Sequence, residues 1–473
     1  MYNVVFITID SLRPDFMSVY NSGIETTPFL KKLSKYSIVF NNAIAPGVPT
    51  FFCFPSVMTG YLPFEFGFYL GVRDHLPTLA EAFKRSGFRT YAIVADNPAL
   101  YPSYRYDRGF DLYEYKQRGK TREIFPDSLD NILKKHTTTR KIRNVLDILY
   151  HSMVAPKIPM NADYVNDVVI NLLEKKRSIP FFLWLHYMDV HAPYYSGLEK
   201  RLSSKKARDF YLRLKFLFNV NKAVGRMRVE DELILETIKL VYRRAIEYVD
   251  EHIEALYNFI SEHYPNTLFI ITSDHGESFM EHDFFFHEPF HLYDELVRVP
   301  LIIHLPNGSG VTVRNSVSLV NIPKTLADIC NLKTAFPGRN LISTNEKIEV
   351  KPSMDYRSHL NNITEALYAC KAPHIRLGIF NNKKRIEGFY PIISYRTARY
   401  KYIINLKTGI EELYDLEKDP KEKHNLISEA NKNSLLNFLT IARRVTSSLI
   451  QSRKRMHTIS KRLSRIKHKL KMQ

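Results

Sequence analysis

Cysteine is scarce in this sequence, since only Cys53, Cys330 and Cys370 occur among 473 residues. Three cysteines without the close spacing of metal ligands exclude a disulfide framework and fit a reducing compartment. Long apolar runs are also missing, because no stretch reaches the roughly 18 residues that a membrane-spanning helix needs. The first apolar segment begins close to Met1, with no charged leader or cleavage site before it. We therefore expect a cytoplasmic protein.

Acidic residues are missing from the C-terminal end. From residue 430 onwards the chain contains 12 Lys and Arg but no Asp or Glu, so the part before it carries only +7 of the net charge of +19. Apolar residues spaced three and four apart among these basic residues predict a short amphipathic helix; they are Met456, Ile459, Leu463, Ile466 and Leu470. Such a helix binds an anionic membrane surface, another chain or nucleic acid. We favour the membrane surface, which would make the protein peripheral at a membrane, and do not expect nucleic acid.

Five apolar segments alternate with helical patterns in the first two thirds of the chain. The segments cover residues 4–9, 88–95, 181–186, 267–272 and 299–303, and the helical patterns cover 78–86, 162–176 and 232–260. Strands that are apolar along their whole length are typical of parallel sheets that are buried on both faces. The sequence therefore predicts an α/β fold with a mostly parallel sheet flanked by helices on both faces.

Polar residues follow four of these segments, and the ends of parallel strands are where such folds bind ligands. The residues expected to converge there are Asp10, Asn97, Asp189, His191, Asp274 and His275. A carboxylate and an imidazole at the end of an apolar strand lose their hydration, which costs several kcal/mol unless a positive charge compensates. A divalent cation is the simplest compensator. For Asp274 and His275 alone, a capping carboxylate beside a hydrogen-bonded neutral imidazole is the alternative.

Thr50 follows Pro49 and precedes an apolar segment that ends at Gly60. This pattern predicts a short helix with the Thr50 hydroxyl at its positive end. An ordinary helix cap is one interpretation of that hydroxyl. If it faces a metal ion, however, its proton is lost more easily and the oxygen becomes a nucleophile.

Several motifs occur in a fixed order along the chain. They are Asp10-Ser11-Leu12-Arg13-Pro14-Asp15, Thr50 with Thr59 and Gly60, and the segments 186–194, 272–287, 292–302, 395–402 and 412–426. Together they resemble the sulfatase branch of the alkaline phosphatase superfamily over residues 3–428. The resemblance implies that fold, with a smaller C-terminal α+β part.

The resemblance also implies a site. Asp10, Asp274 and His275 would hold a divalent metal ion, and Thr50 would be both a ligand and the nucleophile. In two-metal relatives, residues matching Asp189, His191 and His287 hold a second ion, so one or two ions of Mn, Zn, Mg or Ca are expected. His191 or His287 would otherwise protonate the leaving oxygen. Asn97 or Arg13 would bind a substrate oxygen, although an ion pair of Arg13 with Asp15 is an equal alternative.

Departures from the family pattern bear on the reaction. Sulfatases oxidise the cysteine of Cys-x-Pro-x-Arg to formylglycine, and Cys53 is the cysteine that comes nearest to this motif. Val57 replaces the arginine, however, and the family spacing to Thr59 points to Thr50 as the nucleophile. Cys53 is therefore expected in the core. Ser11 stands where sulfatases have a second acidic ligand. A hydrated aldehyde expels sulfate from its second hydroxyl, and threonine has no second hydroxyl. Thr50 therefore fits phosphoryl transfer better.

These observations predict a metal-dependent hydrolase that cleaves an anionic ester, preferably a phosphate monoester or diester, through a covalent Thr50 intermediate. The alternatives are a sulfatase proper, or a transferase that moves a phosphoryl head group onto a glycan or lipid. The substrate is expected to be a small molecule or a glycan- or lipid-linked ester, and the oligomeric state stays open. The predicted parts are a catalytic domain over 1–345 with insertions at about 119–159 and 196–230, a C-terminal subdomain over 346–430, and a basic helical tail over 431–473.

Overall fold

The fold is described from a computed structural model. The described residues are 1–63, 65, 70–115, 161–176, 180–192, 194–195, 232–287, 291–342, 363–369, 389–430 and 435–451. Both predicted insertions, and the tail after residue 451, lie outside these ranges. The proposed membrane contact of that tail therefore stays a prediction.

The described elements follow the predicted alternation. The strands are β1 (Asn3–Ile9), β2 (Ile38–Ile44), β3 (Gly47–Val48), β4 (Arg89–Val94), β5 (Leu112–Tyr115), β6 (Phe181–Tyr187), β7 (Thr267–Ser273), β8 (Ser278–Phe279), β9 (Phe285–Phe286), β10 (Arg298–Val299), β11 (Leu301–His304), β12 (Val311–Ser318), β13 (Ile363–Ala369), β14 (Phe389–Arg396), β15 (Tyr400–Asn405) and β16 (Glu411–Asp415). The α-helices are α1 (Pro28–Ser34), α2 (Thr50–Thr59), α3 (Leu79–Arg85), α4 (Ala162–Lys176), α5 (Glu232–His263), α6 (Asp294–Val297), α7 (Ile322–Ile329) and α8 (435–451). Short 3₁₀ turns cover Pro14–Phe16, Pro98–Leu100, Pro102–Tyr104, Leu319–Asn321 and Ile427–Glu429.

The central sheet has nine strands among the described residues, in the order β10-β2-β11-β7-β1-β6-β4-β5, with β12 also paired to β2. The block β7-β1-β6-β4-β5 is parallel throughout. Beyond it, β11 runs antiparallel to β7, so the sheet is mixed but mostly parallel. The predicted fold class is confirmed.

Helices cover both faces of this sheet, as predicted. Alternate residues of β1 contact opposite layers, because successive side chains of a strand point to opposite faces. Val5 and Ile7 pack with residues of α1, α4 and α5, whereas Val4 and Phe6 pack with residues of α2, α3 and α7. A strand with an apolar layer on each side must be apolar throughout, which explains the continuous apolar segments.

Three strands of the central sheet, β2, β5 and β12, were not predicted. Strand β5 has only four residues, and all of them are half buried. In β2 the asparagines at positions 41 and 42 interrupt the apolar pattern, and most of β12 is exposed or only half buried. The predicted segment at 299–303 is divided at Pro300 into β10 and β11. Proline has no N–H to donate to a neighbouring strand, so the ladder is interrupted there.

A second sheet contains β16, β15, β14, β13 and β3 in that order. Its last strand, β3, lies immediately before Thr50 and pairs with β13 from the C-terminal part. Helix α8, which the sequence groups with the basic tail, packs on this sheet through residues such as Phe438 and Leu439 against Tyr395 and Tyr402. The start of the predicted tail is therefore part of a packed core. Across the described helices, none is both long and apolar enough to cross a bilayer.

Candidate active site

The carboxyl ends of β1 and β7 bring three predicted metal ligands together. Asp10, Asp274 and His275 each offer one ligand atom, and these atoms lie within 4.8 Å of one another. All three side chains are buried. The two strands are adjacent and parallel in the sheet, so the residues that follow them must meet at the same edge.

The two carboxylates of this group differ in their hydrogen bonds. Asp10 accepts from the Ser11 hydroxyl through Oδ1, at 2.8 Å, and from Asn97 Nδ2 through Oδ2, also at 2.8 Å. Asp274 Oδ1 accepts from the His275 amide at 3.0 Å, while the buried Oδ2 accepts no hydrogen bond from any described residue. Burial and the nearby charge of Asp10 raise the pKa of Asp274. A buried oxygen without a donor and two adjacent acids fit a bound cation.

The ring of His275 is oriented to supply a nitrogen ligand. Its Nδ1 lies 2.9 Å from the Gly276 carbonyl, so in the neutral ring Nδ1 donates and the lone pair is on Nε2. Nε2 lies 3.4 Å from Asp274 Oδ2 and 3.7 Å from Asp10 Oδ1. Two carboxylates and one imidazole nitrogen at these distances are a donor set suited to a divalent metal ion.

Thr50 faces the same group. Pro49 occupies the cap position of α2, and Thr50 is the first helical residue. Its hydroxyl is therefore not used as a helix cap, and Oγ1 lies 3.2 Å from His275 Nε2, to which it donates when the ring is neutral. The turn before Thr50 lies so close to α2 that position 47 requires glycine. A Cβ at Gly47 would lie 2.8 Å from the Phe52 carbonyl oxygen.

Cys53 lies one turn further along α2. Its side chain is completely buried in the core layer that contains Val4 and Phe6, and burial raises the pKa of its thiol well above the usual value. The prediction that Cys53 is a core residue is confirmed. A buried thiol with a raised pKa is a poor nucleophile, since the thiolate is the reactive form.

Asn97 contacts one of the predicted metal ligands. Its Nδ2 donates to Asp10 Oδ2 and also lies 3.3 Å from His186 Nε2, while its Oδ1 accepts from the Ala99 amide at 2.9 Å. The predicted contact of Asn97 with a substrate oxygen stays a prediction. Asn97 orients the Asp10 carboxylate, as groups behind metal ligands commonly do.

Sequence reasoning missed His186 at this site. The residue is fully buried, and its Nε2 lies 3.4 Å from Asp10 Oδ2. On the other side of the ring, Nδ1 lies 3.0 Å from Thr8 Oγ1, which also accepts from Trp184 Nε1 at 3.0 Å. A histidine within an otherwise apolar strand was the signal in the sequence that could have identified it.

Arg13 forms an ion pair with Asp15, which was the alternative to a contact with substrate. Its guanidinium donates to both carboxylate oxygens of Asp15, at 3.0 and 2.7 Å, and to Glu281 at 2.6 Å. It also donates to the backbone carbonyl of Glu277 at 2.8 Å. These contacts hold the segment after Asp10 against the segment after His275, which is a structural role.

The remaining predicted residues are His287, His191 and Asp189. His287 packs between His275 and His191, with ring centroids 4.7 Å and 4.8 Å away, and burial lowers the pKa of His191 to about 4. Asp189 accepts from the amide of Ala162, the first residue of α4, at 3.1 Å. The contact seen for Asp189 is therefore that of a helix cap. Its predicted role as a second metal ligand stays a prediction.

Glu277 is a further acid in the site to which the sequence analysis assigned no role. Its side chain is completely buried, and Oε1 lies 3.1 Å from His287 Nδ1. Oε2 accepts from the Tyr194 hydroxyl at 3.3 Å. Burial raises the pKa of Glu277 to about 8.

Asp274→Asn is expected to stabilise the metal-free protein by about 1–2 kcal/mol, because it removes one of two adjacent buried charges. Asparagine keeps an acceptor at Oδ1 for the His275 amide. The same change is expected to abolish the rise in unfolding free energy on adding Mn²⁺. Urea unfolding with a chelator and with Mn²⁺ measures both effects. A variant that is less stable without metal, and still stabilised by Mn²⁺, would contradict this account of the site.

Comparisons with known proteins agree with the fold. The sequence model of the sulfatase family matches residues 2–332. The chain is 24% identical over 462 residues to an uncharacterized sulfatase, YidJ, of Escherichia coli, covering 90% of this chain and 83% of the relative. It is 23% identical over 474 residues to an arylsulfatase of Clostridium perfringens, covering 92% of each.

A solved structure is similar over almost the whole length. The phosphonate monoester hydrolase of Agrobacterium radiobacter matches with a TM-score of 0.67 and 19% identity, covering 96% of each chain. At this identity the likeness establishes the fold. Since the family model spans well over half of the sequence, the chain belongs to the sulfatase family and is a hydrolase that acts on ester bonds.

Proposed function

We propose that this chain hydrolyses phosphoric esters, monoesters or diesters, through a covalent intermediate on Thr50. The observation that carries the proposal is the position of the Thr50 hydroxyl, 3.2 Å from His275 Nε2. The alternative nucleophile, Cys53, has no exposed surface. The family to which the chain belongs supports the reaction class, and Thr50 supports phosphate over sulfate.

The choice of phosphate follows from the chemistry of the nucleophile. A formylglycine hydrate releases sulfate because its second hydroxyl expels the first. A threonine ester has no such group, so it must be opened by direct attack on the transferred group. Attack of water on phosphorus with in-line displacement is an established route in phosphoryl transfer. Thr50 is therefore better matched to phosphoric than to sulfuric esters.

The residues of this site would hold one divalent cation through Asp10, Asp274, His275 and Thr50. Such a cation lowers the pKa of a bound hydroxyl and offsets charge on the transferred group. Asn97 keeps the Asp10 carboxylate in place, and the His275 ring directs Thr50 Oγ1 into the site. The N-terminus of α2 adds partial positive charge beside the same oxygen.

His191 and His287 are the candidates for handling the proton of the leaving oxygen, or for holding a second cation. His191 Nδ1 lies 2.7 Å from the Ala192 carbonyl, which leaves its Nε2 as an acceptor in the neutral ring. His287 is paired with a carboxyl group instead. The two rings therefore differ in the group that faces Nδ1.

A panel of aryl esters tests the proposal. Phosphate monoesters, phosphate diesters, phosphonates and sulfates are assayed with Mn²⁺, Zn²⁺, Mg²⁺ and Ca²⁺ in turn. We expect kcat/KM for the best phosphoric ester to exceed that for the aryl sulfate by at least about tenfold, a difference of about 1.4 kcal/mol in the barrier. An aryl sulfate that is the best substrate would make the chain a sulfatase proper.

A further inference from the structure

We propose that Tyr242 is a positioning residue that holds the turn after β1, residues 10–13, in a left-handed conformation, so that Asp10 and Ser11 face the cation site. This inference rests on the proposed function, because that reaction requires the cation site. It assigns a role to a buried hydroxyl on α5 that the reaction as described above does not use.

The turn after β1 contains a left-handed residue that is not glycine. Ser11 is fully buried and has a φ of 62°, a conformation that glycine adopts readily and that other residues adopt at a cost. In this conformation the Ser11 hydroxyl donates to Asp10 Oδ1 at 2.8 Å, and the Ser11 amide donates to Asp274 Oδ1 at 3.4 Å. The left-handed turn thus brings two donors of one residue to two of the predicted metal ligands.

Tyr242 bridges two backbone groups of this turn. Its hydroxyl donates to the Ser11 carbonyl at 2.7 Å and accepts from the Arg13 amide at 2.9 Å. Ser11 and Arg13 are both buried, so neither group can replace the tyrosine with bulk water. Because a buried backbone group without a hydrogen bond is unfavourable, the hydroxyl stabilises the conformation in which both bonds are made. It therefore offsets the cost of the left-handed Ser11.

The ring of Tyr242 is itself held in place. The side chain is fully buried, and its ring packs against the rings of Phe16, Phe279 and Tyr194, with centroids 5.0, 5.0 and 5.2 Å away. Three aromatic neighbours leave the hydroxyl with a fixed direction. Phenylalanine has the same ring, so Tyr242→Phe removes the two hydrogen bonds and leaves the aromatic packing.

A second set of contacts attaches the same turn to the end of β7. The Leu12 amide donates to Ser273 Oγ at 2.9 Å, and that hydroxyl donates to the His275 carbonyl at 2.6 Å. The turn is therefore attached both to α5 and to the segment that carries Asp274 and His275. Releasing it from α5 lets the Asp10 carboxylate move relative to the other two ligands, and groups that orient metal ligands commonly determine affinity. We expect the cation to bind more weakly as a result.

Titration calorimetry of the full chain with Mn²⁺ tests the proposal. We expect Tyr242→Phe to raise the Kd for Mn²⁺ by about tenfold or more. Tyr20→Phe is the matched control, because the Tyr20 hydroxyl also bridges two backbone groups, accepting from the Leu301 amide at 3.0 Å and donating to the Leu301 carbonyl at 3.2 Å. We expect this control to change Kd by less than about twofold. Equal losses in both variants, or no loss in Tyr242→Phe, would overturn the proposal.

The left-handed residue allows a second test. Ser11→Gly and Ser11→Ala both remove the Ser11 hydroxyl, but glycine adopts a positive φ without the cost that alanine has. We therefore expect Tyr242→Phe to raise the Kd for Mn²⁺ at least about threefold more in the Ser11→Ala background than in the Ser11→Gly background. The same rise in both backgrounds would overturn the proposal, because Tyr242 would then not act through the conformation of residue 11.

The hold on the turn is measured without metal or substrate. In the presence of a chelator, Tyr242→Phe is expected to speed hydrogen exchange of the Arg13 amide by about tenfold or more, whereas Tyr20→Phe leaves it unchanged. Equally fast exchange in the wild type and in Tyr242→Phe overturns the proposal, and so does a wild-type chain that binds no Mn²⁺. If exchange and affinities are as expected but no phosphoric ester is cleaved, the proposed function fails while the positioning role of Tyr242 stands.

Discussion

Thr50→Ala is expected to lower kcat for the best phosphoric ester by about 10⁴-fold or more, because the variant has no oxygen with which to form the covalent intermediate. The Thr50 hydroxyl lies 3.2 Å from His275 Nε2, and it does not cap α2. The fold is therefore expected to survive the change. Steady-state rates and the unfolding free energy measure the two effects separately.

Two further variants make this prediction specific to the Thr50 oxygen. Thr50→Ser keeps a hydroxyl and is expected to retain part of the activity. Cys53→Ala lies one turn along the same helix and is expected to lower stability, since it leaves a small cavity in the core, with little effect on kcat. If Cys53→Ala abolished turnover while Thr50→Ala did not, the choice of nucleophile would be wrong.

The intermediate can be observed directly. Rapid acid quenching during turnover, followed by peptide mass spectrometry, is expected to find phosphate on Thr50 of the wild-type chain. Thr50→Ala is expected to yield no modified peptide from this segment. Phosphate on another residue would contradict the proposal.

Lys401→Met is expected to lower the free energy of unfolding by about 3–5 kcal/mol, the usual cost of removing one partner from a buried ion pair. Lys401 is completely buried on β15, and its Nζ lies 2.8 Å from Asp294 Oδ1 and 2.7 Å from Glu422 Oε1. Arg396 also contacts Asp294, at 2.6 Å. Without Lys401 a buried carboxyl group loses its cationic partner. Urea unfolding measures the loss.

The pH dependence of that loss identifies its cause. Burial raises the pKa of Glu422 to about 7. An acid with a raised pKa in the folded protein takes up a proton on folding, so its contribution to stability falls as pH rises from its unfolded pKa to its folded value. Removing Lys401 raises that pKa further. The deficit of Lys401→Met is therefore expected to be larger at pH 8 than at pH 5.

Glu422→Gln is the matched second change. Combined with Lys401→Met, it is expected to recover a substantial part of the lost stability, because no unpaired charge is left buried. A double variant as unstable as Lys401→Met alone would show that packing of the lysine side chain, and not its charge, is what matters.

Lys401→Met is also expected to weaken metal binding, although Lys401 is not one of the residues around the metal site. Asp294 begins α6, and at the other end of α6 the Leu296 carbonyl accepts from the Gly276 amide and the Val297 carbonyl from the Ala45 amide, both at 2.8 Å. Gly276 follows His275, and Ala45 lies shortly before Thr50. The approach is so close that a Cβ at Gly276 would lie 2.0 Å from the Glu295 carbonyl oxygen. The C-terminal sheet thus supports, through α6, the segment that contains His275 and the segment that leads to Thr50.

The sequence by itself determined the parts of this protein that depend on local periodicity. Six or seven apolar residues are enough to predict a buried strand. Parallel strands must bring the residues after them to one edge of the sheet. These two facts are sufficient to predict that Asp10, Asp274 and His275 lie together. Thr50 was identified through its spacing to Thr59 and Gly60 in the family pattern. The position of Thr50 opposite His275, 225 residues away, agrees with that choice.

Only the tertiary structure decided which side chains face the substrate and which hold other residues in place. Asn97 donates a hydrogen bond to Asp10, 87 residues away in the sequence, and Arg13 donates one to Glu281, 268 residues away. His186 and Glu277 could be placed in the site only when their neighbours were known. The physical reason is that the direction of a polar side chain is set by whichever donor or acceptor lies about 3 Å away. That partner comes from a distant segment, and no local pattern encodes it.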